Sequence, residues 1–154
     1  MRILLQRVSR ASVTVESETT GAIGSGLLAY VGVASTDTLE DVDYLSEKLS
    51  TIRLFPDHRG RFDQSVTDVA GSVLIVSQFT LYADTKRGRR PRFSDAASPD
   101  VAEPLIQALT DRLHAGGLHI ESGRFGTMME VNAVNDGPVN IMLDSADRYP
   151  RQKS

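Results

Sequence analysis

The stretch Asn135-Asp136-Gly137-Pro138-Val139 decides how the end of this chain folds, because it interrupts a long strand pattern from Glu130 to Asp144. Proline cannot donate to a β-ladder, so a proline within a strand marks an edge, a bulge or a turn. The preceding glycine accepts backbone angles that other residues avoid, and an X-Pro bond is where a cis peptide costs little. The sequence therefore predicts a rigid corner of backbone, which is either a turn or a working part of a site.

Patterns before and around this corner predict a β-rich domain. Strands are expected at residues 1–7, 11–17, 18–23, 27–33, 72–80, 118–123 and 128–144, from alternation or from continuous apolar runs. Residues 57–60 predict a turn. Together with two helices, the strands indicate a single domain of the α/β class, in its α+β form, over residues 1–147. Residues 148–154 are typical of a flexible basic tail.

Two segments have helical periodicity. The first runs from Leu39 to Ile52, and Thr36 or Asp37 is its expected cap. The second begins at Ser98-Pro99, with the serine as cap, and ends at Gly116-Gly117. The buried stripe expected on the second helix comprises Val101, Leu105, Leu109 and Leu113.

Composition removes several classes of function. The chain of 154 residues has no cysteine, which excludes disulfides, thiolate catalysis and zinc–thiolate sites. Its three histidines share no ligand spacing, so we expect neither a metal nor a cofactor. No stretch approaches a membrane helix or a signal peptide, which favours a cytoplasmic location. Because the net charge is −3, any contact with nucleic acid requires a local basic patch.

One such patch is the run Lys86-Arg87-Gly88-Arg89-Arg90-Pro91-Arg92, in which five of seven residues are basic. Its glycine and proline favour a loop over a helix. Like charges at this density repel one another, so they gain most from an anion among them, and the arginine fork suits phosphate oxygens. The run is therefore either a solvated loop or a binding segment for a phosphate backbone.

Polar groups also end the buried strand predicted at residues 72–80. The segment Ser77-Gln78-Phe79-Thr80 supplies hydroxyls, an amide and strand-end N–H groups. Such groups can bind a carbonyl oxygen and a water without a charged nucleophile, as acyl transfer requires. Alternatively, they only make hydrogen bonds to the backbone groups at the end of the strand. Spacing alone leaves both interpretations open.

The segment that begins at Ser77 and the stretch Asn135–Val139 together resemble the D-aminoacyl-tRNA deacylase family. Its motif Ser-Gln-x-Thr-Leu is matched at residues 77–81, and its motif Asn-x-Gly-Pro-Val-Thr is matched at residues 135–139. The likeness spans almost the whole chain and includes residues 88–91 and 123–126. One position departs from the family, because Asn140 stands where the family has threonine.

The resemblance implies a homodimer of three-layer β/β/α sandwich subunits that hydrolyses D-aminoacyl-tRNA, a chirality-proofreading step of translation. It implies that the Gly137–Pro138 peptide is cis and that this corner reaches into the partner subunit's active site. A rigid backbone surface can sterically exclude L-amino acids whatever their side chains, so selection works by excluding the wrong isomer. Glycine has no side chain to exclude, so we expect glycyl-tRNA to be a substrate as well.

The resemblance also implies a role for each candidate residue. The expected catalytic set is Ser77, Gln78, Phe79 and Thr80. The set expected to bind the substrate and select its chirality is Gly137, Pro138, Arg7, Asn135, Phe125 and Met129. The set expected to contact the tRNA backbone is Lys86, Arg87, Arg89, Arg90 and Arg92. No membrane partner is expected.

Several alternatives stay open on the sequence. Backbone N–H groups near Phe79 and Thr80 are expected to hold the carbonyl oxygen while the 2′-hydroxyl of the terminal adenosine orients water, and Thr80 as a nucleophile is the alternative. Phe79 and Phe125 form either an adenine platform or ordinary core. Arg7 either braces the Gly-Pro corner or makes a surface ion pair. Outside the family, the chain is a non-catalytic RNA-binding module or an esterase that uses Thr80 or Ser77.

Overall fold

A computed structural model describes residues 1–149 of the chain. Its regular elements, in chain order, are β1 (Arg2–Val15), β2 (Glu18–Ile23), β3 (Gly26–Gly32), α1 (Leu39–Thr51), β4 (Arg53–Pro56), β5 (Phe62–Ser65), β6 (Ser72–Ser77), α2 (Pro99–Ala115), β7 (His119–Ser122) and β8 (Glu130–Asp144). Short 3-10 turns follow β6 and β8, at Phe79–Tyr82 and Ser145–Arg148. Neither helix of this described part is long and apolar enough to cross a membrane.

The sheet is organised around the long strand β1. Strand β8 runs antiparallel along one edge of β1, from Arg2 to Thr14. The other edge of β1 is shared, because β3 pairs with residues 2–8 and β2 pairs with residues 11–15, both antiparallel. Beyond β3, strands β6 and β7 extend the sheet in parallel.

The second half of β1 bends so that β2 lies over β6 and β7. A Cβ atom on Gly21 of β2 would lie 2.5 Å from the carbonyl oxygen of Ser122 and 3.1 Å from Leu74 Cδ1, so glycine permits this close approach. A hydrophobic cluster fills the space between the two β-layers, and it comprises Val8, Ala11, Val13, Ile23, Leu28, Leu74 and Val76. The bend therefore converts one sheet into two packed layers.

Helices α1 and α2 form the third layer. They cover the other face of the sheet, where a larger buried cluster joins Ile3 and Leu27 of the sheet to Leu45 of α1 and Leu109 of α2. Apolar residues alternate along β1, which sends Ile3 and Leu5 towards the helices and the intervening Leu4 to the opposite face. The β-rich, three-layer β/β/α sandwich is confirmed.

Most strand predictions are confirmed. Strand β8 spans the predicted Glu130–Asp144, and β3 is the predicted buried central strand. The strands predicted at residues 1–7 and 11–17 are one strand, because no turn residue separates them. The strand predicted at residues 72–80 ends earlier, at Ser77, and Thr80 lies in a 3-10 turn. The patterns miss the β4–β5 hairpin around the turn at 57–60, since each of its strands has only four residues.

Both helices lie where their periodicity predicts them, but the cap of α1 differs. Thr38, rather than Thr36 or Asp37, caps the helix, because its hydroxyl accepts a hydrogen bond from the Glu40 N–H at 3.3 Å. The Asp41 carboxylate in turn accepts one from the Thr38 N–H at 2.8 Å, which completes a capping box.

Two details of α2 and of the chain end also differ. Ser98 stands at the cap position, but its side chain makes no capping hydrogen bond. Val101 is 39% exposed, because the buried stripe of α2 begins one turn later, at Leu105. Arg148, expected in the flexible tail, ends the last 3-10 turn and pairs with Asp41 of α1. The expected tail from residue 150 onward lies outside the described residues.

Candidate functional site

The parallel strands bring two candidate segments to one edge of the sheet. The carboxyl ends of β3, β6 and β7 meet there, because parallel strands end on the same side. The Gln78 N–H donates to the Val31 carbonyl at 2.7 Å, and the Gly123 N–H donates to the Ile75 carbonyl at 2.9 Å. The predicted catalytic segment and the segment carrying Phe125 and Met129 therefore leave the sheet side by side.

The chain turns sharply after Ser77. Residues Phe79–Tyr82 form one 3-10 turn, and Leu81 and Ala83 donate back to the Gln78 and Thr80 carbonyls at 3.3 and 3.1 Å. The first N–H groups of such a turn have no partner within it. Among the described residues, no carbonyl accepts from the Phe79 or Thr80 N–H. These two amides remain available to an acceptor from outside the chain.

Side chains on this turn are polar or exposed. The Gln78 side-chain amide donates to the Thr80 hydroxyl. Phe79 is 58% exposed and makes an edge-to-face contact with Phe93, with ring centroids 4.9 Å apart. The sequence patterns miss Phe93, because nothing in its own spacing relates it to a residue fourteen positions earlier.

No general base stands beside the Thr80 hydroxyl. Burial, and then the charges of Asp37 and Asp144, raise the pKa of the Tyr82 phenol, which therefore stays protonated at neutral pH. The hydrogen-bond partner of Thr80 is an amide, which cannot take a proton. Within residues 1–149, no cluster of histidine, aspartate or glutamate side chains is arranged to hold a metal. The turn can polarise a carbonyl group but has no group that would activate a nucleophile.

The Gly-Pro corner is a bulge on β8. In the register of the two strands, Gln6 faces Asn140 and Val8 faces Asn135, so residues 136–139 of β8 stand against Arg7 alone. The Gly137–Pro138 peptide is cis, as the resemblance implies. Residues 136–138 are exposed and Val139 is buried, so the corner projects from a fixed base.

Two side chains build that base. The guanidinium of Arg7, only 7% exposed, donates to the Leu54 carbonyl at 2.7 Å, so Arg7 is not a surface residue. Its Nε lies 3.2 Å from the Asp136 carboxylate, an ion pair without hydrogen-bond alignment. The Asn135 amide donates to the carbonyls of Arg7 and Val139, at 3.0 and 3.3 Å, and closes the bulge at its neck.

The Gly-Pro corner and the predicted catalytic segment do not meet within one chain. Ser77 faces Val31, which faces Ile3, so the catalytic segment lies four positions along β1 from Arg7. Three strand spacings separate β8 from β6, through β1 and β3. At the usual rise and spacing of strands, the two motifs are about 20 Å apart.

Phe125 and Met129 lie on the segment that follows β7. Gly126, with φ of +73°, turns this segment back, and the Thr127 hydroxyl donates to the Arg124 carbonyl at 2.8 Å. Met129 packs against the cluster between the β-layers, and a Cβ on Gly123 would lie 2.5 Å from its sulfur. Both Phe125 and Met129 are half-buried, which leaves part of each side chain accessible.

The basic run forms a closed loop beside the turn that follows β6. Asp84 and Arg92 exchange backbone hydrogen bonds at 2.7 and 2.9 Å, so residues 85–91 project as one excursion. A shallow cavity of about 510 Å³ is lined by residues 87–92. All five cations are exposed, and among the described residues none pairs with an acidic side chain; they are Lys86, Arg87, Arg89, Arg90 and Arg92.

Comparison with known proteins gives a consistent family. The model of the family described as D-Tyr-tRNA(Tyr) deacylase matches residues 4–144. A Chloroflexus aurantiacus protein named D-aminoacyl-tRNA deacylase is 53% identical over 153 residues, covering 99% of this chain and 96% of that protein. A protein of the same name from Halalkalibacterium halodurans is 51% identical over 145 residues, covering 94% of this chain and 99% of that one.

Two solved structures share the fold. One, described as c-Myc DNA Unwinding Element Binding Protein, has a TM-score of 0.88 at 36% identity and covers 94% of this chain and 98% of its own. The other, described as a probable eukaryotic D-amino acid tRNA deacylase, has a TM-score of 0.83 and covers 92% of this chain and 97% of its own. At 18% identity, the second likeness concerns the fold alone.

Replacing Gly137 by alanine tests how tightly the corner is built. Gly137 has φ of +120°, and an added Cβ would lie 2.8 Å from Val139 Cγ2 and 3.2 Å from the Arg7 guanidinium. Gly60→Ala is the matched control, because Gly60 has φ of +78° and no atom within 4 Å of the added Cβ.

Urea denaturation should give a loss of about 1–2 kcal/mol for Gly60→Ala, the cost of left-handed backbone alone. The loss for Gly137→Ala should exceed it by at least about 1 kcal/mol, because φ of +120° lies further from the left-handed well and because the crowded base must also shift. Equal losses for the two variants would contradict the packing described for the corner.

Proposed function

Because the chain belongs to the D-Tyr-tRNA(Tyr) deacylase family, a family of hydrolases, we propose that it hydrolyses the ester bond between a D-amino acid and tRNA. The products are free tRNA and the D-amino acid. The observation that carries this proposal is the family match over residues 4–144, which contains both motifs. The setting of this activity is chirality proofreading during translation in the cytoplasm.

The proposed active site is shared between two subunits. The separation of about 20 Å between the two motifs prevents the Gly137–Pro138 corner from serving the catalytic turn of its own chain. In a two-fold symmetric dimer, the corner of one subunit can reach the turn of the other, and each site is then complete. This geometry supports a homodimer with its active sites at the interface.

The surface around β8 also favours a second subunit. Within residues 1–149, β8 pairs with β1 alone, so the other edge of this long strand has unpaired backbone groups. Edges of this kind are normally covered, because they otherwise template aggregation. Beside that edge, Leu4, Tyr30 and Met142 occupy one sheet face in register, and Met142 is 50% exposed. A second copy covering this face would bury both the edge and the apolar patch.

In the proposed mechanism the Gly137–Pro138 corner selects the substrate and takes no part in breaking the ester bond. The carbonyls of Gly137 and Pro138 bind the α-amino group of the substrate, and the corner leaves no room for a side chain on the L side of Cα. Arg7 and Asn135 hold the corner in place through the contacts at its base. Because the filter is made of backbone, it accepts any D-side chain and also glycine.

The proposed chemistry takes place at the turn after β6. The free N–H groups of Phe79 and Thr80 bind the carbonyl oxygen and stabilise the negative charge that develops on it. A water attacks the carbonyl carbon, oriented by the 2′-hydroxyl of the terminal adenosine, and the tRNA 3′-oxygen leaves with a proton. Ser77 and Gln78 position these groups, while Phe125 and Met129 bind the adenine.

The basic loop binds the tRNA in this proposal. Its five cations, at residues 86–92, have no acidic partner among the described residues, so their charges are available to phosphates. The loop stands beside the catalytic turn, where the end of a bound tRNA would lie. Asn140 faces Gln6 on the strand just after the corner, and nothing in the structure explains its replacement of threonine.

The proposal is tested by matched esters on purified tRNA. The protein should release D-tyrosine from D-tyrosyl-tRNA and glycine from glycyl-tRNA, while L-tyrosyl-tRNA decays at the rate measured without protein. Equal rates for the D- and L-esters, or no cleavage of either, would contradict the main proposal. Intact glycyl-tRNA alongside cleaved D-ester would refute only the exclusion mechanism.

Replacing Thr80 by alanine separates the two chemical mechanisms. If the backbone amides stabilise the charge on the carbonyl oxygen, the kcat of Thr80→Ala on D-tyrosyl-tRNA should fall by less than about tenfold. The variant loses one neutral hydrogen bond, which contributes about 0.5–1.5 kcal/mol. Thr110→Ala on α2, which also removes a hydroxyl bonded within the chain, is the control. A fall to background in a folded Thr80→Ala protein would make Thr80 the nucleophile.

A further inference from the structure

We propose that Phe79 and Phe93 form a stacking platform for the unpaired nucleotides that immediately precede the esterified adenosine, and that the basic loop holds their phosphates. The inference rests on the proposed function and assigns a part of the tRNA to a surface next to the active site. It adds Phe93, which neither motif contains, to the substrate-binding residues.

Phe79 is exposed and Phe93 is half-buried, so part of the apolar surface of this aromatic pair lies open. Phe79 is 58% exposed, yet its ring is held by Phe93 in an edge-to-face contact of 71°. A ring fixed on one side and open on the other gives a flat apolar surface that a base can cover. Stacking of this kind needs a base free of duplex partners, since a paired base offers no open face.

Phe93 is fixed to the body of the protein. The Ala96 N–H donates to the Phe93 carbonyl at 3.1 Å, and Ala97 N–H donates to the Val33 carbonyl at 2.9 Å, at the end of β3. The Ser35 N–H donates to the Asp95 carbonyl at 3.0 Å. The platform therefore sits on rigid backbone, and little entropy is lost when a base stacks on it.

The basic loop leads directly into this platform. Phe93 follows Arg92, which closes the loop by its paired backbone bonds to Asp84. Unpartnered cations continuous with an exposed aromatic surface are the two elements of a single-strand binding track, one for phosphates and one for bases. The 3′ end of tRNA is the unpaired strand that the catalytic turn must receive, so the nucleotides before its last adenosine fit this track.

The test compares intact D-tyrosyl-tRNA with D-tyrosyl-adenosine, a substrate without the preceding nucleotides. In the Phe93→Leu variant, KM for the tRNA should rise about tenfold, within the range for loss of one stacked base, and kcat at saturation should change little. The effect on D-tyrosyl-adenosine should be clearly smaller. Phe93→Tyr should restore the KM for tRNA, and Tyr44→Leu on α1 should leave it unchanged.

A binding measurement tests the same inference independently of catalysis. A fluorescent single-stranded RNA ending in CCA should bind more tightly than a blunt duplex of equal length, and Phe93→Leu should weaken its binding equally at every salt concentration. Arg89→Ala should instead lower the salt dependence, by about one unit of slope, as expected for one phosphate contact. Lys48→Ala on α1, which removes an exposed cation from the helical layer, is the charge control.

The outcomes separate the two claims. Equal losses on both esters, or a fall in kcat without a change in KM, would overturn the platform and give Phe93 a merely structural role. Binding of the duplex as tight as that of the single strand would overturn it as well. If the wild-type protein cleaves neither ester, the proposed function fails, while RNA binding that depends on Phe93 would still support the platform.

Discussion

The pairing of β1 with β8 is the constraint on which the rest of the structure depends. This ladder is regular except between Gln6 and Arg10, where four residues of β8 stand against Arg7 and where Ser9 has no partner on β8. The extra backbone has to leave the sheet, and it does so as an exposed corner whose root is held by a buried guanidinium and an asparagine amide. Because the paired residues on either side of the bulge hold β1 and β8 in register, the corner projects in a fixed direction.

The same ladder separates the corner from the proposed catalytic turn. The parallel ends of β3, β6 and β7 assemble the turn after Ser77, the segment with Phe125 and the root of the basic loop at one edge. The corner lies on β8, which β1 and β3 separate from β6, and at a different position along the strand direction. No local rearrangement can therefore bring the corner to the turn. A fold that makes both parts rigid and holds them apart is well suited to a site completed by symmetry, in which one subunit supplies the chemical surface and the other the selective wall.

Much of the fold could be predicted from the sequence, because strand alternation and helical periodicity are local signals. The bounds of β8 follow from its strand pattern, and the proline within that pattern indicates an edge, a bulge or a turn, of which the structure has the bulge. What could not be predicted depends on contacts between distant residues. The cap of α1 is Thr38 because Asp37 is drawn to the Ala34 N–H at 2.6 Å. The Phe79–Phe93 contact and the hydrogen bond from the buried Arg7 to the Leu54 carbonyl likewise appear only once the chain has folded.

Subunit complementation tests the central claim, that each active site takes its turn from one subunit and its corner from the other. A Gln78→Ala protein and a Gly137→Ala protein are each expected to lose most of their activity as homodimers, because Gln78 positions the reacting groups and Gly137 forms the corner. The two are unfolded together, refolded together and assayed on D-tyrosyl-tRNA. Activity should return to about a quarter of wild type, since half of the dimers are mixed and one of their two sites has both intact parts. No recovery, with mixed dimers demonstrably present, would show that both motifs act within one chain and would contradict the account.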